Sequence, residues 1–248
     1  MKYKLLLAYD GTQYGGWQVQ PNAISIQATL ENALTIVLRT PIAITGAGRT
    51  DAGVHALGQV AHFSFLEPLD CFRILGSLNG LLPPDIRVLS LEPVPDEFHA
   101  RYSAKSKIYH YHLHLDPVMN PFYRLYRHHI HFSLDLELLR SAASLFIGTH
   151  DFSAFANEAA EGAAAKNPIR TLSRLDIVPQ EGGVRLEFEG ESFLYKMVRN
   201  ITGTLLDVCR GKISLESIPD IFASKDRRKG GTAAPAQGLF LVKIHYGK

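Results

Sequence analysis

Strand-like and helix-like hydrophobic patterns follow one another in a regular order along the first half of the chain. Residues 2–9 have a basic start and continue in a short apolar run, Leu5-Leu6-Leu7-Ala8, which predicts a first strand. Residues 25–39 instead place apolar side chains three and four positions apart, which predicts a helix with Ser25 as its N-cap. The same criteria predict strands over 42–48, 58–66 and 87–93, and a second helix over 71–82. The predicted order is therefore β-α-β-β-α-β.

The second half repeats this order of elements without repeating its residues. The patterns predict strands over 106–115 and 125–131, a helix over 136–146, strands over 171–178 and 184–191, helices over 193–210 and 215–224, and a last strand over 239–246. This predicts an α+β fold of two ferredoxin-like halves, residues 1–97 and 98–248, each a mostly antiparallel sheet with helices on one face. The tract 157–166, rich in Ala, Glu and Gly, is predicted to be a surface loop.

The composition says more about the cellular compartment of the protein than about whether it binds RNA. The formal net charge of +2 over 248 residues argues neither for nor against RNA binding. No apolar run approaches the roughly 18 residues of a transmembrane helix, and the start of the chain has no signal-peptide cleavage pattern. The two cysteines, Cys71 and Cys209, lie far apart, which favours free thiols in a reducing compartment. We therefore expect a cytoplasmic protein with no membrane partner.

A glycine-flanked turn between the predicted strands 42–48 and 58–66 carries a single acid, Asp51, two residues after Arg49. A nearby guanidinium favours the ionised form of a carboxylate, which suits a nucleophile or an electrostatic stabiliser rather than an acid. A rigid turn would also leave that carboxylate little freedom to lose on binding. The turn by itself also fits a plain polar turn in which Arg49 and Asp51 merely pair.

The segment 48–56, Gly-Arg-Thr-Asp-Ala-Gly-Val-His-Ala, resembles the signature of the TruA family, the tRNA pseudouridine synthases A. Further blocks that resemble the family follow in the family's order: Tyr9-Asp10-Gly11-Thr12, Tyr14, Gly16-Trp17-Gln18, Phe98-His99-Ala100-Arg101, Lys107-Ile108-Tyr109, Gly148-Thr149-His150-Asp151-Phe152, Met197-Val198-Arg199-Asn200 and Ala234-Pro235. The departures are Tyr195, Lys196, Ala236, Gln237 and Phe240, and they concern the substrate channel rather than the chemistry.

The resemblance implies a fold, a reaction and an assembly. The two sheets would join side by side with the active-site cleft between them. The enzyme would isomerise uridine to pseudouridine at positions 38 to 40 of the anticodon arm of tRNA, as a homodimer whose two subunits both touch one tRNA. It would need no metal and no organic cofactor. One carboxylate suffices because no water has to be activated, whereas an ordinary glycoside hydrolase needs two.

The resemblance also implies roles for individual residues. Asp51 is implied to be the catalytic aspartate, and attack at C1′ of the ribose and proton removal at C2′ remain open alternatives. Tyr109 is implied to stack on the target base once it is flipped out of the RNA, a step that such chemistry on a paired nucleotide requires. Lys107 occupies a position where basic residues occur in the family. Either Arg49 or Arg199 would pair with Asp51; the family pattern favours Arg199, with Arg49 toward the RNA.

Two stretches combine positive charge with features that suit RNA. Residues 98–131 contain five cations, including Arg101, against one acid, together with seven histidines and seven Tyr or Phe residues. Residues 225–229 form a second basic cluster, which includes Arg227 and Arg228. Basic groups interleaved with aromatic rings suit a phosphate backbone and unstacked bases. A solvated strand and loop is the plain alternative.

Three other interpretations are weaker. Alternating histidines at 110, 112 and 114, with those at 128, 129 and 131, could suggest a metal site, but no Cys or acid cluster completes a ligand set. A non-catalytic RNA-binding module of the same fold would not need Asp51, Arg49, Tyr109 and Arg199. An RNA N-glycosidase that releases uracil would want a second, water-activating acid near the motif.

Overall fold

The computed structural model describes residues 1–157 and 167–247, so all of the predicted loop 157–166 except Asn157 lies outside the described residues. The chain forms two compact units. The first unit combines Met1–Lys105 with the C-terminal residues from Phe240 onward, and the second unit is Ser106–Leu239. These units and the predicted halves 1–97 and 98–248 have different bounds, because residues 98–105 and the C-terminal strand group with the first unit. The division into halves 1–97 and 98–248 describes a repeated order of elements, and it stays a prediction.

The first unit has the predicted β-α-β-β-α-β order. Its elements are β1 (Lys2–Tyr9), α1 (Ile26–Leu38), β2 (Thr45–Gly46), β3 (His55–Ser64), α2 (Cys71–Leu81) and β4 (Ile86–Val94). Strand β1 pairs antiparallel with β3 on one side and with β4 on the other. The far edge of β3 pairs antiparallel with β2 through residues 61–62 and parallel with the C-terminal strand through residues 55–56.

Hydrophobic burial explains this order. In β1 the alternate residues Tyr3, Leu5, Leu7 and Tyr9 are buried. The predicted apolar stripe of α1 is buried at Ile26, Leu30, Ala33 and Leu34. Ser25 caps α1 as predicted, since its Oγ accepts a hydrogen bond from the Ala28 amide at 3.2 Å. These elements give the first unit one continuous core.

The second unit is built on another antiparallel sheet. Its elements are β5 (Ser106–His114), β6 (His128–His129), α3 (Leu136–Ser144), β7 (Gly148–Asp151), β8 (Ile169–Gln180), β9 (Gly183–Gly190), α4 (Met197–Cys209) and α5 (Ile218–Ser224). The C-terminal strand β10 (Leu239–His245) follows them and belongs, from Phe240 onward, to the first unit. The strand order within this sheet is β5-β9-β8-β7, all antiparallel, with β6 parallel to β5. Its core includes the fully buried Tyr111, Leu186 and Phe188.

The α+β class with mostly antiparallel strands is confirmed, but several element predictions were wrong in detail. The predicted strand 42–48 shrinks to β2. The predicted strand 125–131 shrinks to β6, while β7 was not predicted. Helix α4 begins at Met197 rather than at residue 193, because Lys196 has a left-handed backbone with φ of 59° and cannot continue a helix. Among the described residues, no helix is long and apolar enough to cross a membrane. Both cysteines are free and half-buried.

Candidate active site

Asp51 lies in the loop 47–54 that joins β2 to β3, hereafter the Asp51 loop. The Asp51 side chain is half-buried, whereas Arg49 is exposed. The amide of Val54 donates to the Asp51 carbonyl at 3.1 Å, which closes a turn around the carboxylate. The loop also pairs with β3, where the Ala47 amide donates to the Val60 carbonyl at 2.8 Å. A short loop fixed at both ends holds its carboxylate with little freedom.

Two glycines let residues 11–17 lie directly against the Asp51 loop. A Cβ on Gly11 would come within 2.0 Å of the Val54 carbonyl oxygen. Gly16 has a positive φ of 95°, and a Cβ there would lie 2.5 Å from the Thr50 carbonyl oxygen. The Trp17 amide donates to that same Thr50 carbonyl at 3.0 Å. Backbone therefore packs against backbone on both sides of Asp51, which only glycine permits.

Buried polar side chains brace the same loop. The Tyr9 and Thr50 hydroxyls are 2.8 Å apart and hydrogen-bonded, and the Gln59 amide donates to the Gly48 carbonyl at 2.9 Å. Burial raises the pKa of Tyr9 to about 12, so its hydroxyl keeps its proton at any physiological pH. The ring of Trp17, itself buried, lies under Gly46 at the end of β2. These braces are neutral and leave the carboxylate of Asp51 as the loop's one acid.

A buried histidine anchors the C-terminal end of the loop. His55 Nδ1 lies 3.1 Å from both the Gly11 amide and the Asp10 carboxylate, and its ring stacks on Phe240 at 4.5 Å between centroids. Asp10 in turn accepts from the amide of Thr12 at 2.9 Å. Sequence reasoning gave no role to His55, Tyr9 or Gln59. The first two stand in segments that resemble the family, so the segments were the available signal.

The second unit positions Tyr109 and Lys107 on one face of β5. Both side chains are buried, and alternate residues of the strand, His110 and His112, lie on the other face, as the alternation predicts. The ring of Tyr109 meets Phe193 edge to face, with centroids 5.0 Å apart. Neighbouring rings thus fix the plane of the Tyr109 phenol.

Arg199 is fixed by a reciprocal contact with the segment 231–238. Its Nε donates to the Ala234 carbonyl at 2.7 Å, and the Ala234 amide donates back to the Arg199 carbonyl at 2.9 Å. The same segment is tied to the sheet, since the Tyr111 hydroxyl donates to the Pro235 carbonyl at 2.8 Å. Side chain and backbone of Arg199 therefore share one partner, and the direction of its guanidinium is set by the backbone of Ala234.

The spacing of Lys196, Arg199, Asn200, Gly203 and Asp207 predicts one polar face of α4, where Gly203 leaves room for a close approach by backbone or RNA. At Asn200 and Gly203 this face is internal. Asn200 is fully buried: its amide donates to the Phe155 carbonyl at 3.0 Å, and its Oδ1 accepts from Arg227 Nη2 at 2.8 Å. Gly203, predicted to allow a close approach by backbone or RNA, meets the Thr232 backbone, whose carbonyl oxygen would lie 1.7 Å from a Cβ. The polar side of α4 thus binds its own segment 227–234.

The two arginines of the basic cluster differ. Arg227 is half-buried and donates to Asn200 and, at 2.8 Å, to the Gly231 carbonyl. Arg228 exposes 90% of its side chain and pairs with Asp226 at 2.8 Å, an interaction that lowers the pKa of Asp226 to about 2. Arg101, from the other basic stretch, is exposed in the first unit. RNA binding by Arg101, Arg227 and Arg228 stays a prediction. Arg227 differs from the other two because its guanidinium also makes hydrogen bonds inside the protein.

The histidine rings of these strands are hydrogen-bonded or buried, and they do not form a set of metal ligands. Within residues 1–157 and 167–247, no three His, Cys, Asp or Glu side chains are grouped so as to hold a metal ion. Burial lowers the pKa of His112 to about 4, and burial together with Arg210 does the same to His128. His112 Nδ1 is 2.8 Å from the Gln180 side-chain oxygen. These rings are neutral at physiological pH.

Known proteins resemble this chain over nearly its whole length. The model of the tRNA pseudouridine synthase family matches residues 6–103 and 142–247. The tRNA pseudouridine synthase A 1 of Protochlamydia amoebophila is 59% identical over 245 residues, 98% of this chain and 96% of that protein. The tRNA pseudouridine synthase A of Chlamydia muridarum is 45% identical over 251 residues, 99% of this chain and 92% of that protein. That of Acetivibrio thermocellus is 42% identical over 243 residues, 98% of each chain. The chain belongs to the tRNA pseudouridine synthase family.

Proposed function

We propose that this chain isomerises uridine to pseudouridine in tRNA, at positions 38 to 40 of the anticodon stem-loop, with Asp51 as the catalytic carboxylate. The observation that carries the proposal is the Asp51 loop, in which one half-buried acid is fixed by backbone contacts to Gly11 and Gly16. Membership of the family supports the reaction, and the resemblance at 48–56 supports the residue.

The reaction needs one carboxylate and no net addition of atoms. The bond from C1′ to N1 of the uracil breaks, a bond from C1′ to C5 forms, and the hydrogen of C5 is lost as N1 gains one. Breaking the first bond builds positive charge on the ribose, which an anionic Asp51 stabilises. Whether Asp51 attacks C1′ or removes the C2′ proton, it must be ionised.

Residues of both units supply the remaining roles in this proposal. Tyr109 stacks on the flipped base, a role supported by a ring plane that Phe193 already fixes. Arg199, which the family pattern favours over Arg49, pairs with Asp51, supported by a guanidinium whose Nε is already fixed on Ala234. Lys107 and the exposed Arg49, Arg101 and Arg228 bind RNA, whereas Arg227 combines any RNA contact with its structural bonds.

The same resemblance supports the setting of the enzyme. We propose a homodimer in which one tRNA touches both subunits, in the cytoplasm. We also propose that no metal or organic cofactor takes part, since the roles above are filled by protein side chains and the substrate's own atoms.

Bulk unmodified tRNA tests the proposal. The purified chain should produce pseudouridine at positions 38 to 40, and Asp51→Asn should abolish it, because the amide keeps the volume but cannot be an anionic nucleophile or base. Asp96→Asn, at an exposed acid of the same unit, is the matched control and should keep full activity. Exhaustive dialysis against EDTA should change nothing.

Two outcomes would contradict this function, and a third would contradict only the role of Asp51. Release of free uracil would indicate an RNA N-glycosidase. Binding of tRNA without conversion would indicate a non-catalytic RNA-binding module. Turnover by Asp51→Asn above a few per cent of the original chain would leave the reaction but remove Asp51 from it.

A further inference from the structure

The turn that follows β4, residues 98–103, projects two side chains away from the first unit. Tyr102 exposes 75% of its surface, and Arg101 is also exposed. The guanidinium carbon of Arg101 lies 5.8 Å from the centroid of the Tyr102 ring, within the range of a cation–π contact. The His99 ring also packs against the Tyr102 ring, with centroids 4.3 Å apart. The turn thus presents an exposed aromatic ring, supported by His99, together with a cation.

Three side chains from the sheet and the C-terminus tie down the backbone of this turn. Lys2 of β1 donates to the Phe98 carbonyl at 2.8 Å. His62 of β3 accepts from the Ala100 amide at 3.2 Å, and the Tyr246 hydroxyl donates to the Ala100 carbonyl at 2.7 Å. The base of the turn is therefore as fixed as the strands that hold it.

His99 fixes the two residues that project. Its Nδ1 accepts from the amides of both Arg101 and Tyr102, at 3.1 and 3.2 Å. Its own amide donates to the Ser103 hydroxyl at 3.0 Å, and its carbonyl accepts from the Ser103 amide at 2.9 Å. The backbone that carries Tyr102 consequently has little conformational freedom left to lose on binding.

Both histidines must be neutral to accept these bonds, and their surroundings keep them so. Burial, His99 and Lys2 lower the pKa of His62 to about 4. Burial and the cations Lys2 and Arg101 lower the pKa of His99. The turn therefore keeps its hydrogen bonds at physiological pH.

We propose that the Arg101–Tyr102 turn binds tRNA, with the Tyr102 ring stacked on an unpaired base and Arg101 on a neighbouring phosphate. An exposed aromatic ring on a fixed backbone, next to a guanidinium, is the arrangement that single-stranded nucleic acid binds. The inference rests on the proposed function, because it takes tRNA as the partner. It adds a base contact in the first unit, distinct from Tyr109 in the second.

Fluorescence offers a readout that needs no turnover. The chain has one tryptophan, Trp17, which is 2% exposed, so Tyr102→Trp adds a single solvent-exposed indole. Stacking on a base should quench this new emission when tRNA is added. Phe72→Trp is the matched control, since Phe72 is 85% exposed in the same unit but lies on α2, and its emission should stay unchanged.

Direct affinity measurements complete the test. Tyr102→Ala should weaken tRNA binding about tenfold, while Tyr102→Phe keeps the stacking face and should bind like the original chain. Phe72→Ala should bind normally. A fully paired RNA duplex of the same length should quench Tyr102→Trp far less than tRNA does. Thermal unfolding of each variant confirms that the exposed substitutions leave the fold intact.

Several results would overturn the inference. These are normal affinity in Tyr102→Ala, equal losses in Tyr102→Ala and Phe72→Ala, or equal quenching by duplex RNA. A change in the solution mass of Tyr102→Ala with normal tRNA affinity would instead assign the turn to a contact between copies. If the original chain neither binds nor converts tRNA, the proposed function fails and this inference with it. If it does both while the Tyr102 variants behave normally, only this inference fails.

Discussion

The Asp51 loop of the first unit and the Arg199 segment of the second, residues 227–238 with α4, are held by different kinds of contact. Backbone lies against backbone at the Asp51 loop, through the missing side chains of Gly11 and Gly16. Side-chain hydrogen bonds from Arg199, Asn200 and Arg227 hold the Arg199 segment, in addition to one glycine contact at Gly203.

This difference predicts two patterns of sensitivity to mutation. A backbone contact through glycine has no room for any side chain, so one added methyl group must displace a whole segment. A hydrogen-bond network loses one bond at a time, and each loss has a bounded cost. Substitutions at Gly11 and Gly16 should therefore disrupt the Asp51 loop abruptly, whereas substitutions of the hydrogen-bonding side chains should weaken the Arg199 segment by degrees.

Gly11→Ala should give the largest effect. Its Cβ would lie 2.0 Å from the Val54 carbonyl oxygen, so the Asp51 loop must move, and turnover should be lost together with about 3 kcal/mol of unfolding free energy. Gly76→Ala is the control, because nothing lies within 4 Å of its Cβ and α2 should gain about 0.5–1 kcal/mol. Urea unfolding and tRNA turnover measure both. A fully active Gly11→Ala would show that the loop is not fixed as described.

Arg227→Ala should cost less, about 2–3 kcal/mol of unfolding free energy, because it removes hydrogen bonds from a charged donor and leaves Asn200 Oδ1 without that partner. Its sequence neighbour provides the control: Arg228→Ala, at an exposed side chain, should leave urea unfolding unchanged. Equal stability of the two variants would contradict the distinction between an internal and an external arginine.

Sequence alone predicted the first region better than the second. A lone acid in a glycine-flanked turn between two strands predicted a rigid turn, and the contacts at Gly11 and Gly16 explain that rigidity. The spacing of Asn200 and Gly203 predicted one polar face of α4, but a polar pattern does not say whether its partner is water or another segment of the chain. Arg227 and Arg228 are adjacent and alike, so only their tertiary partners tell them apart.

Backbone conformations at particular side chains were also beyond sequence reasoning. Lys196 adopts the left-handed conformation that usually favours glycine, so nothing in its identity indicated that α4 begins at Met197. The hydrogen bonds of His55 and His99 depend on segments far apart in the chain or on a turn whose form was not predicted. Alternation and periodicity report local structure, and such contacts lie outside them.

Lowering the pH should reduce the unfolding free energy of both units gradually. His62 in the first unit and His112 and His128 in the second have pKa values lowered to about 4, against 6.5 for an ordinary histidine. Between these values the unfolded chain binds more protons, so the unfolding free energy should fall as the pH is lowered from 6.5 and stay flat above it. His128→Phe should reduce that slope by at most about 1.4 kcal/mol per pH unit, the value for one proton. Urea unfolding between pH 7.5 and 5 measures it, and equal stability over this range would contradict the burial of these rings.

Arg228 should give the smallest effect, visible only in RNA binding. If it contacts a phosphate, Arg228→Gln should reduce the slope of log affinity against log salt by at most about one unit, because one counterion fewer is released.

Arg228 already pairs with Asp226, whose Oδ1 also accepts from the Arg228 amide at 2.9 Å. Asp226→Asn can keep that amide bond while removing the competing charge, so it should raise tRNA affinity. Arg140→Gln, at a cation paired with Glu137 on α3, is the control and should leave the slope unchanged. If the slope and the affinity stay the same in both Arg228→Gln and Asp226→Asn, the exposed arginine faces solvent, and the basic cluster binds no phosphate through it.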